Sequence, residues 1–233
     1  MIITRKLNKI YPGNVHALND VSVVVPAGEF AFLVGPNGAG KTTFFKLLLR
    51  EEQPTSGCAL FLSRDVVELN PADLARHRRM VGAVFQDTRL VPTMTVFENV
   101  LLPLQTEGAG DDEGSSKAME ALQVAGLLEL KDRFPADLSG GQQQQVAIAR
   151  ALVNDPKAIL ADEPTGNLSP AATEDVVNLL AAINQRGITV MVSTHNREIV
   201  DSMRRRVLAL DRGRLVSDCA RGGYPEILRE LAA

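Results

Sequence analysis

Gly35-Pro36-Asn37-Gly38-Ala39-Gly40-Lys41-Thr42 is the stretch that decides how this chain folds. Before it, residues 29–34 read as a short apolar strand. After it, the run TTFFKLLLR from Thr42 reads as a helix. Strand, glycine loop and helix in that order are the setting in which Gly-x4-Gly-Lys-Thr closes around phosphate. The glycines let backbone N–H groups approach phosphate oxygens where a Cβ would obstruct them. The helix that opens near Gly40 turns its positive end toward the same anion. Lys41 supplies a point charge for β- and γ-phosphates, and Thr42 a hydroxyl for Mg2+. Gly35, Pro36, Asn37, Gly38, Ala39, Gly40, Lys41, Thr42 and Thr43 are therefore the expected nucleotide cradle.

Upstream, residues 2–7 and 18–25 read as strands, the second with alternating character. Downstream, Pro54-Thr55-Ser56-Gly57 punctuates before strands at 59–62 and 81–85. Between about 88 and 154 the periodicity is helical, with Ala118, Leu122, Ala125 and Leu128 as an apolar stripe. Within it, residues 107–116 have the composition of a polar loop. Strand and helix alternate again after Asp155-Pro156. Strands are expected at 158–161 and 188–193, helices from Pro170 and Asn196, a two-stranded segment around Asp211-Arg212-Gly213, and a short helix from Pro225. Such alternation argues for an α/β fold with a mainly parallel sheet. The expected organisation is one domain over 1–233, with a core of 1–87 and 155–233 and a helical insertion at about 88–154.

A length of 233 residues suffices for such a core, and 45% hydrophobic with 23% charged residues is ordinary for a soluble globular chain. The net charge of −3 supplies no general attraction to nucleic acid or anionic membrane, so phosphate binding must be local and no nucleic-acid partner is expected. Cys58 and Cys219 form no metal-type spacing; they read as free thiols, at least partly buried, in a reduced cytosolic compartment. The opening MIITRKLNKIYPG has no apolar core of a secretory signal. The longest apolar runs are strand-sized, so a membrane function has to be borrowed from a partner. Arg76-His77-Arg78-Arg79 and Arg204-Arg205-Arg206 read as solvated faces.

Lys157-Ala158-Ile159-Leu160-Ala161-Asp162-Glu163-Pro164 is an apolar strand ending in two acids. Strand side chains alternate, so both acids reach one site only where the strand ends and bends away, and Pro164 enforces that ending. In open α/β sheets this edge is where ligands sit. Asp162 is the natural Mg2+-side acid, and Glu163 the natural base for an attacking water.

Leu138-Ser139-Gly140-Gly141-Gln142 precedes a helical run and forms a second helix N-terminus with exposed donors. A second phosphate-seeking end is redundant in one monomer. It makes sense if it serves the nucleotide of another subunit.

These five residues resemble the signature motif of ATP-binding-cassette proteins, and the other motifs of that family follow in order. The resemblance implies a P-loop NTPase of ABC type, with a RecA-like core, an antiparallel β subdomain and an inserted α-helical subdomain. It implies an ATPase that binds ATP and Mg2+ and works as a homodimer, each nucleotide held by one P-loop and by Ser139, Gly140, Gly141 and Gln142 of the other chain. Tyr11 resembles the aromatic that stacks on adenine. Gln86 is similar to the Q-loop glutamine that touches Mg2+ and water, and His195 to the switch histidine at the γ-phosphate. With Glu163, these two form the implied catalytic set; Thr42, Gln86 and Asp162 form the implied metal set. Gly166-Asn167-Leu168-Ser169 lies where the D-loop belongs.

Residues 85–100, 134–138 and 161–167 resemble the FtsE group of that family, the cell-division ATPases that pair with the membrane protein FtsX. That resemblance implies a cytoplasmic subunit, peripheral on the inner face of the membrane through an FtsX-like permease, whose ATP-driven closure regulates cell-wall hydrolysis. The ATPases of lipoprotein and macrolide exporters share residues 162–167, and the exporter alternative stands beside it. Two positions depart from the family pattern. Gln145 stands where arginine is usual, and Ser169 where aspartate is usual. The first loses a planar ion-pairing group. The second, followed by Pro170, remains a good N-cap, so the local fold should survive while turnover slows.

Overall fold

Five helices press on one face of a central, mainly parallel sheet, and one helix with a second, antiparallel sheet presses on the other. The computed structural model describes residues 1–105 and 111–225. The central sheet is built from β3 (Phe30–Val34), β6 (Val81–Phe85), β7 (Ala158–Asp162), β8 (Thr189–Thr194), β9 (Arg206–Asp211) and β10 (Arg214–Cys219). Their order is β10-β9-β3-β8-β7-β6, and every pair is parallel except β9 with β10. A second, antiparallel sheet has the order β2-β1-β4-β5, from β1 (Ile2–Tyr11), β2 (Val15–Val25), β4 (Ser56–Phe61) and β5 (Arg64–Asp65).

The period of two in β3 explains the layering. Phe30, Phe32 and Val34 join one core; Ala31 and Leu33 join the other. The first core holds the apolar faces of α3 (Val96–Gln105), α4 (Asp111–Val124), α5 (Gly140–Leu152), α6 (Pro170–Gln185) and α7 (Arg197–Met203). The second packs α1 (Lys41–Leu48) between the two sheets, with Phe44, Phe45, Leu47 and Leu48 against Leu7, Leu18 and Val21. A strand buried on both faces does not alternate with exposed polar residues, which is why β3 and residues 158–161 of β7 read as unbroken apolar runs and β8 carries Val190, Met191 and Val192 in a row. Helices α3, α4 and α5 fall in sequence between β6 and β7 and pack on one another. Among the described residues, no helix is long and apolar enough to cross a membrane.

Several expectations need correction. Residues 111–116 are not loop but the first turns of α4. Acids in a first helical turn suit the helix dipole, and Glu113 pairs with Lys117 one turn on at 3.2 Å. Gly114 is no breaker here: a Cβ there would meet Leu101 at 3.3 Å, so its absence lets α4 lie close on α3. Residues 107–110, and the helix expected from Pro225, fall outside the described residues. Helix α2 (Pro71–Met80) was not anticipated, because it carries almost no apolar face; Asn70 caps it, with Pro71 in its first turn. Its basic run is not uniformly solvated, since His77 is 2% exposed. Arg206 is equally not a solvated arginine. It forms paired bonds of 2.9 and 2.8 Å to Asp218 and reaches Glu29 and the Val24 carbonyl, both at 2.8 Å. Cys58 is half-buried, as expected, but Cys219 is exposed.

His77 ties α2 to α1. Its Nε2–H donates to the Leu48 carbonyl at 2.7 Å, and its ring meets Phe61 edge-on at 5.1 Å. Burial, aided by Arg78, pushes the imidazole pKa down from 6.5, against the opposing pull of the Leu48 bond. A histidine whose folded pKa is lowered binds fewer protons than the unfolded chain, so its contribution to stability is whole above about pH 6.5 and is lost as the pH falls below it. The urea midpoint of the parent should therefore fall between pH 7.5 and pH 5.5 by more than that of His77→Gln, which keeps an amide donor but no titrating ring. Parallel pH profiles for the two proteins would refute this linkage.

Candidate active site

Parallel pairing brings the C-terminal ends of neighbouring strands to one edge, and here the register is tight. Val34 of β3 pairs with Thr194 of β8, Ser193 of β8 with Asp162 of β7, and Asp162 with Phe85 of β6. The residues that follow Val34, Thr194, Asp162 and Phe85 are Gly35, His195, Glu163 and Gln86. Four segments far apart in sequence thus leave the sheet side by side. Glu163 leaves it with φ +48°, a left-handed conformation rare for a residue with a side chain. That turn lets two consecutive acids face one site, at a backbone cost of about 1–3 kcal/mol. Its N–H is held by the Ser193 carbonyl at 3.1 Å and the Ser193 hydroxyl at 3.0 Å. The same hydroxyl donates to Asp162 Oδ1 at 2.5 Å. Ser193, buried at 0% exposure, is thus the hidden organiser of both carboxylates. Its sequence signal was a small polar residue at the end of an apolar run.

Glu163 stands between two cations or potential cations. Lys41 Nζ lies 3.4 Å from Oε1, and His195 Nδ1 lies 2.9 Å from Oε2. A carboxylate only accepts, so Nδ1 carries the proton. Lys41 is 6% exposed and also donates to the carbonyls of Gly35 (2.8 Å) and Pro36 (3.3 Å). Around it the loop runs to Gly40, the N-cap of α1 at φ +104°, so the first N–H groups of α1 have no side-chain cap. A Cβ on Gly40 would strike the Ala17 carbonyl and come within 2.8 Å of Leu18 Cδ2, because β2 packs directly beneath the loop.

Thr42, Gln86, Asp162 and Glu163 all line one open cleft of about 740 Å³, together with Lys46, Asp87 and Thr88. Thr42, Gln86 and Asp162 offer a hydroxyl, an amide oxygen and a carboxylate, the hard oxygen donors that suit Mg2+. Gln86 is exposed, and a Cβ on Gly166 would sit 2.9 Å from its Nε2. Gly140 reaches the rim of the same cleft. The rest of its motif is engaged differently: Ser139 and Gln142 form a reciprocal capping box, with bonds of 2.9 and 3.2 Å. Ser139 is exposed, and none of the described hydrogen bonds links this motif to Lys41, Glu163 or His195. Tyr11 does not line the cleft. It ends β1 opposite Val15, two residues from Ala17, and Lys9 Nζ lies 4.8 Å over its ring.

A family model described as ABC transporter matches residues 18–166. The chain belongs to the ABC transporter family. Cell division ATP-binding protein FtsE of Bacillus subtilis (strain 168) is 45% identical over 224 residues, which cover 96% of this chain and 98% of that protein. FtsE of Mycobacterium tuberculosis (strain ATCC 25618 / H37Rv) is 46% identical over 225 residues, with coverage of 96% and 98%. Among solved structures, a dimeric post-hydrolysis state of the ATP-binding cassette MJ0796, bound to ADP and Pi, matches with a TM-score of 0.84 and 34% identity, covering 96% of this chain and 100% of that one. The cassette fold, with its antiparallel sheet and helical insertion, is therefore shared by chain and relatives alike.

The glycines of the loop are not equivalent. Gly38, at φ +79°, has nothing within 4 Å of a built Cβ. Gly38→Ala should cost only the left-handed penalty of about 1–2 kcal/mol. Gly40→Ala should cost distinctly more, adding overpacking of about 1–3 kcal/mol. Urea unfolding of the two variants checks this; equal losses would mean that β2 does not buttress the loop.

Proposed function

We propose that this chain is the ATPase subunit of an FtsEX-like membrane complex: two copies sandwich two ATP·Mg2+, and the closure they drive is passed to an FtsX-like permease that regulates cell-wall hydrolysis. The ATPase and cassette assignments follow from the family. The division role rests on similarity to FtsE proteins across nearly the whole of both chains. The single observation that carries the site assignment is the row of Gly35, His195, Glu163 and Gln86 at one sheet edge, with Lys41 against Glu163.

In this reading, the backbone N–H groups of residues 35–43 and Lys41 hold the phosphates. Tyr11 stacks on the adenine from the end of the β1–β2 hairpin. Thr42, Gln86 and Asp162 would hold Mg2+, which would supply neutralisation of charge on the β- and γ-oxygens. Asp162 is aimed by the Ser193 hydroxyl, which donates to it. Glu163 is the base for the attacking water, and its left-handed backbone points it into the cleft. His195 steadies that carboxylate through Nδ1 and leaves Nε2 for the γ-phosphate. Ser139, Gly140, Gly141 and Gln142 close over the nucleotide of the other subunit, which is why their N–H-bearing end stands exposed rather than folded onto their own P-loop. Residues 88–100 carry the motion toward the membrane partner, with Asn99 as their keystone. It is 0% exposed and bonds the Val91 N–H and the carbonyls of Val91, Met94 and Thr95.

Glu163→Gln should lower ATP turnover by at least about 100-fold, the scale of a lost general base, while ATP still drives dimerisation in size-exclusion chromatography. Turnover at the parent rate would remove Glu163 from its role. Lys41→Ala should abolish tight binding of ATP, measured by titration of the monomer; unchanged affinity would count against the cradle. Purification of the protein from detergent-solubilised native membranes should bring down a permease with a large extracytoplasmic domain. A partner that carries a lipoprotein carrier or outer-membrane channel instead would make the chain an exporter motor.

A further inference from the structure

The segment that carries Gln86 is gripped from both sides by one helix. Gln144 of α5, 2% exposed, donates Nε2–H to the Phe85 carbonyl at 3.0 Å. Less than two turns further on, Arg150 sends its two terminal nitrogens to consecutive carbonyls, 2.6 Å to Thr88 and 2.8 Å to Arg89. Between these grips the segment closes on itself. The Arg89 guanidinium lies 3.8 Å over the Phe85 ring, and the Arg89 N–H reaches Asp87 Oδ1 at 3.4 Å. Gln86, Asp87 and Arg89 are exposed and line the cleft.

The choice of residues is informative. Arg150 is half-buried, and burial together with the Arg89 charge presses its guanidinium pKa downward. Placing a cation beside another cation is a poor way to stabilise a helix. It is a good way to hold two adjacent carbonyls at once, since a guanidinium is a planar fork of donors while an ammonium is a point charge. Glutamine at 144 likewise does what an apolar core residue could not, by donating to the last carbonyl of β6. At its other end α5 begins at Ser139, whose exposed N-terminus is directed at a second subunit in the function proposed above, and the inference rests on that reading. The helix has 13 residues, so the two ends are joined by a rod about 20 Å long.

We propose that Gln144 and Arg150 are positioning residues for hydrolysis: they fasten the main chain on both sides of Gln86 to α5, so that engagement of the Ser139 end by the nucleotide of one site sets where Gln86 stands in the other. The two ATP sites of the dimer are thereby linked through α5, without any contact between Arg150 and nucleotide. Loss of the clamp leaves ATP binding to the P-loop intact and lowers the rate and the cooperativity of hydrolysis.

Amide exchange, ATP affinity and steady-state hydrolysis of the full-length protein test this. Backbone amide exchange of residues 86–91 should speed up by at least about tenfold in Arg150→Met and Gln144→Leu, with α6 and β8 unchanged. ATP affinity of the monomer should move less than about threefold, while kcat falls by about tenfold or more and the Hill coefficient for ATP drops toward one. Arg150→Lys should recover only part of the rate, because an ammonium does not fork across both carbonyls; it also serves where Arg150→Met fails to fold. Finally, adding Arg150→Lys to Gln86→Ala should cost nothing further in kcat, since residues acting through one group are not additive. Additive losses, or parent-like kcat with a lower melting temperature alone, would make Arg150 a brace and overturn the proposal. If Gln86→Ala itself hydrolyses ATP at the parent rate, the role given to Gln86 fails instead; the clamp then stands or falls on the exchange of residues 86–91.

Discussion

Everything at the site depends on one constraint, the in-register parallel pairing of β3, β8, β7 and β6. An antiparallel sheet would send alternate strand ends to opposite edges, and Gly35, Gln86, Glu163 and His195 could not meet. Parallel strands need long crossovers, and those crossovers are the helices that bury both faces of the sheet. The apolar composition of β3, β7 and β8 is therefore the cause of the site geometry as well as of the core. A one-residue slip of β7 would replace Glu163 with Asp162 in the row and turn every side chain of the strand over. Such a slip is resisted because Ile159 and Ala161 are buried in one core and Ala158 and Leu160 in the other, each with its own shape.

Electrostatics then finish what the sheet begins. Glu163 and Asp162 are neighbours in sequence and would repel if both pointed freely into a half-buried cleft. Ser193 separates them, donating its hydroxyl to one and taking the N–H of the other. Lys41 and His195 compensate the second carboxylate from opposite sides. The cost of the left-handed turn at Glu163 is thus met locally, by hydrogen bonds that exist only because the strand ends there.

The sequence makes the phosphate loop, the apolar strands and the paired acids legible for a common reason: each needs residues that little else explains. Glycines at fixed spacing, strands without alternation and acids after an apolar run are all costly unless used. What stayed hidden is built from unremarkable residue types. Helix α2 has no apolar stripe, so periodicity passes over it, although Asn70-Pro71 is itself a helix start signal. The opening of α4 reads as loop because its acids and glycine have turn composition; only the proximity of Leu101 shows why a glycine belongs there. Ser193, Gln144 and Arg150 act on segments distant in sequence and Asn99 on the turn just before it, and no spacing rule encodes those partners. Glu163 gave no hint of its positive φ, since glycine is the usual marker of that conformation and glycine has no carboxylate.

The same reasoning bears on the two positions where the chain departs from the family pattern. Ser169 has the extended backbone of an N-cap and accepts from the Ala172 N–H at 3.4 Å, with Pro170 at the first helical position. The cap is therefore retained; what a serine cannot supply is the negative charge that a helix N-terminus favours, about 0.3–1 kcal/mol at an exposed position. Gln145 lies one turn beyond Gly141 on α5, and Gly141 is so close to α6 that a Cβ there would come within 2.7 Å of Ala172. The signature end of α5 and the capped end of α6 are thus pressed together, and a Cβ on Gly140 would meet Leu168 Cδ2 at 3.4 Å. With both 145 and 169 neutral, this junction is held by packing and caps instead of charge.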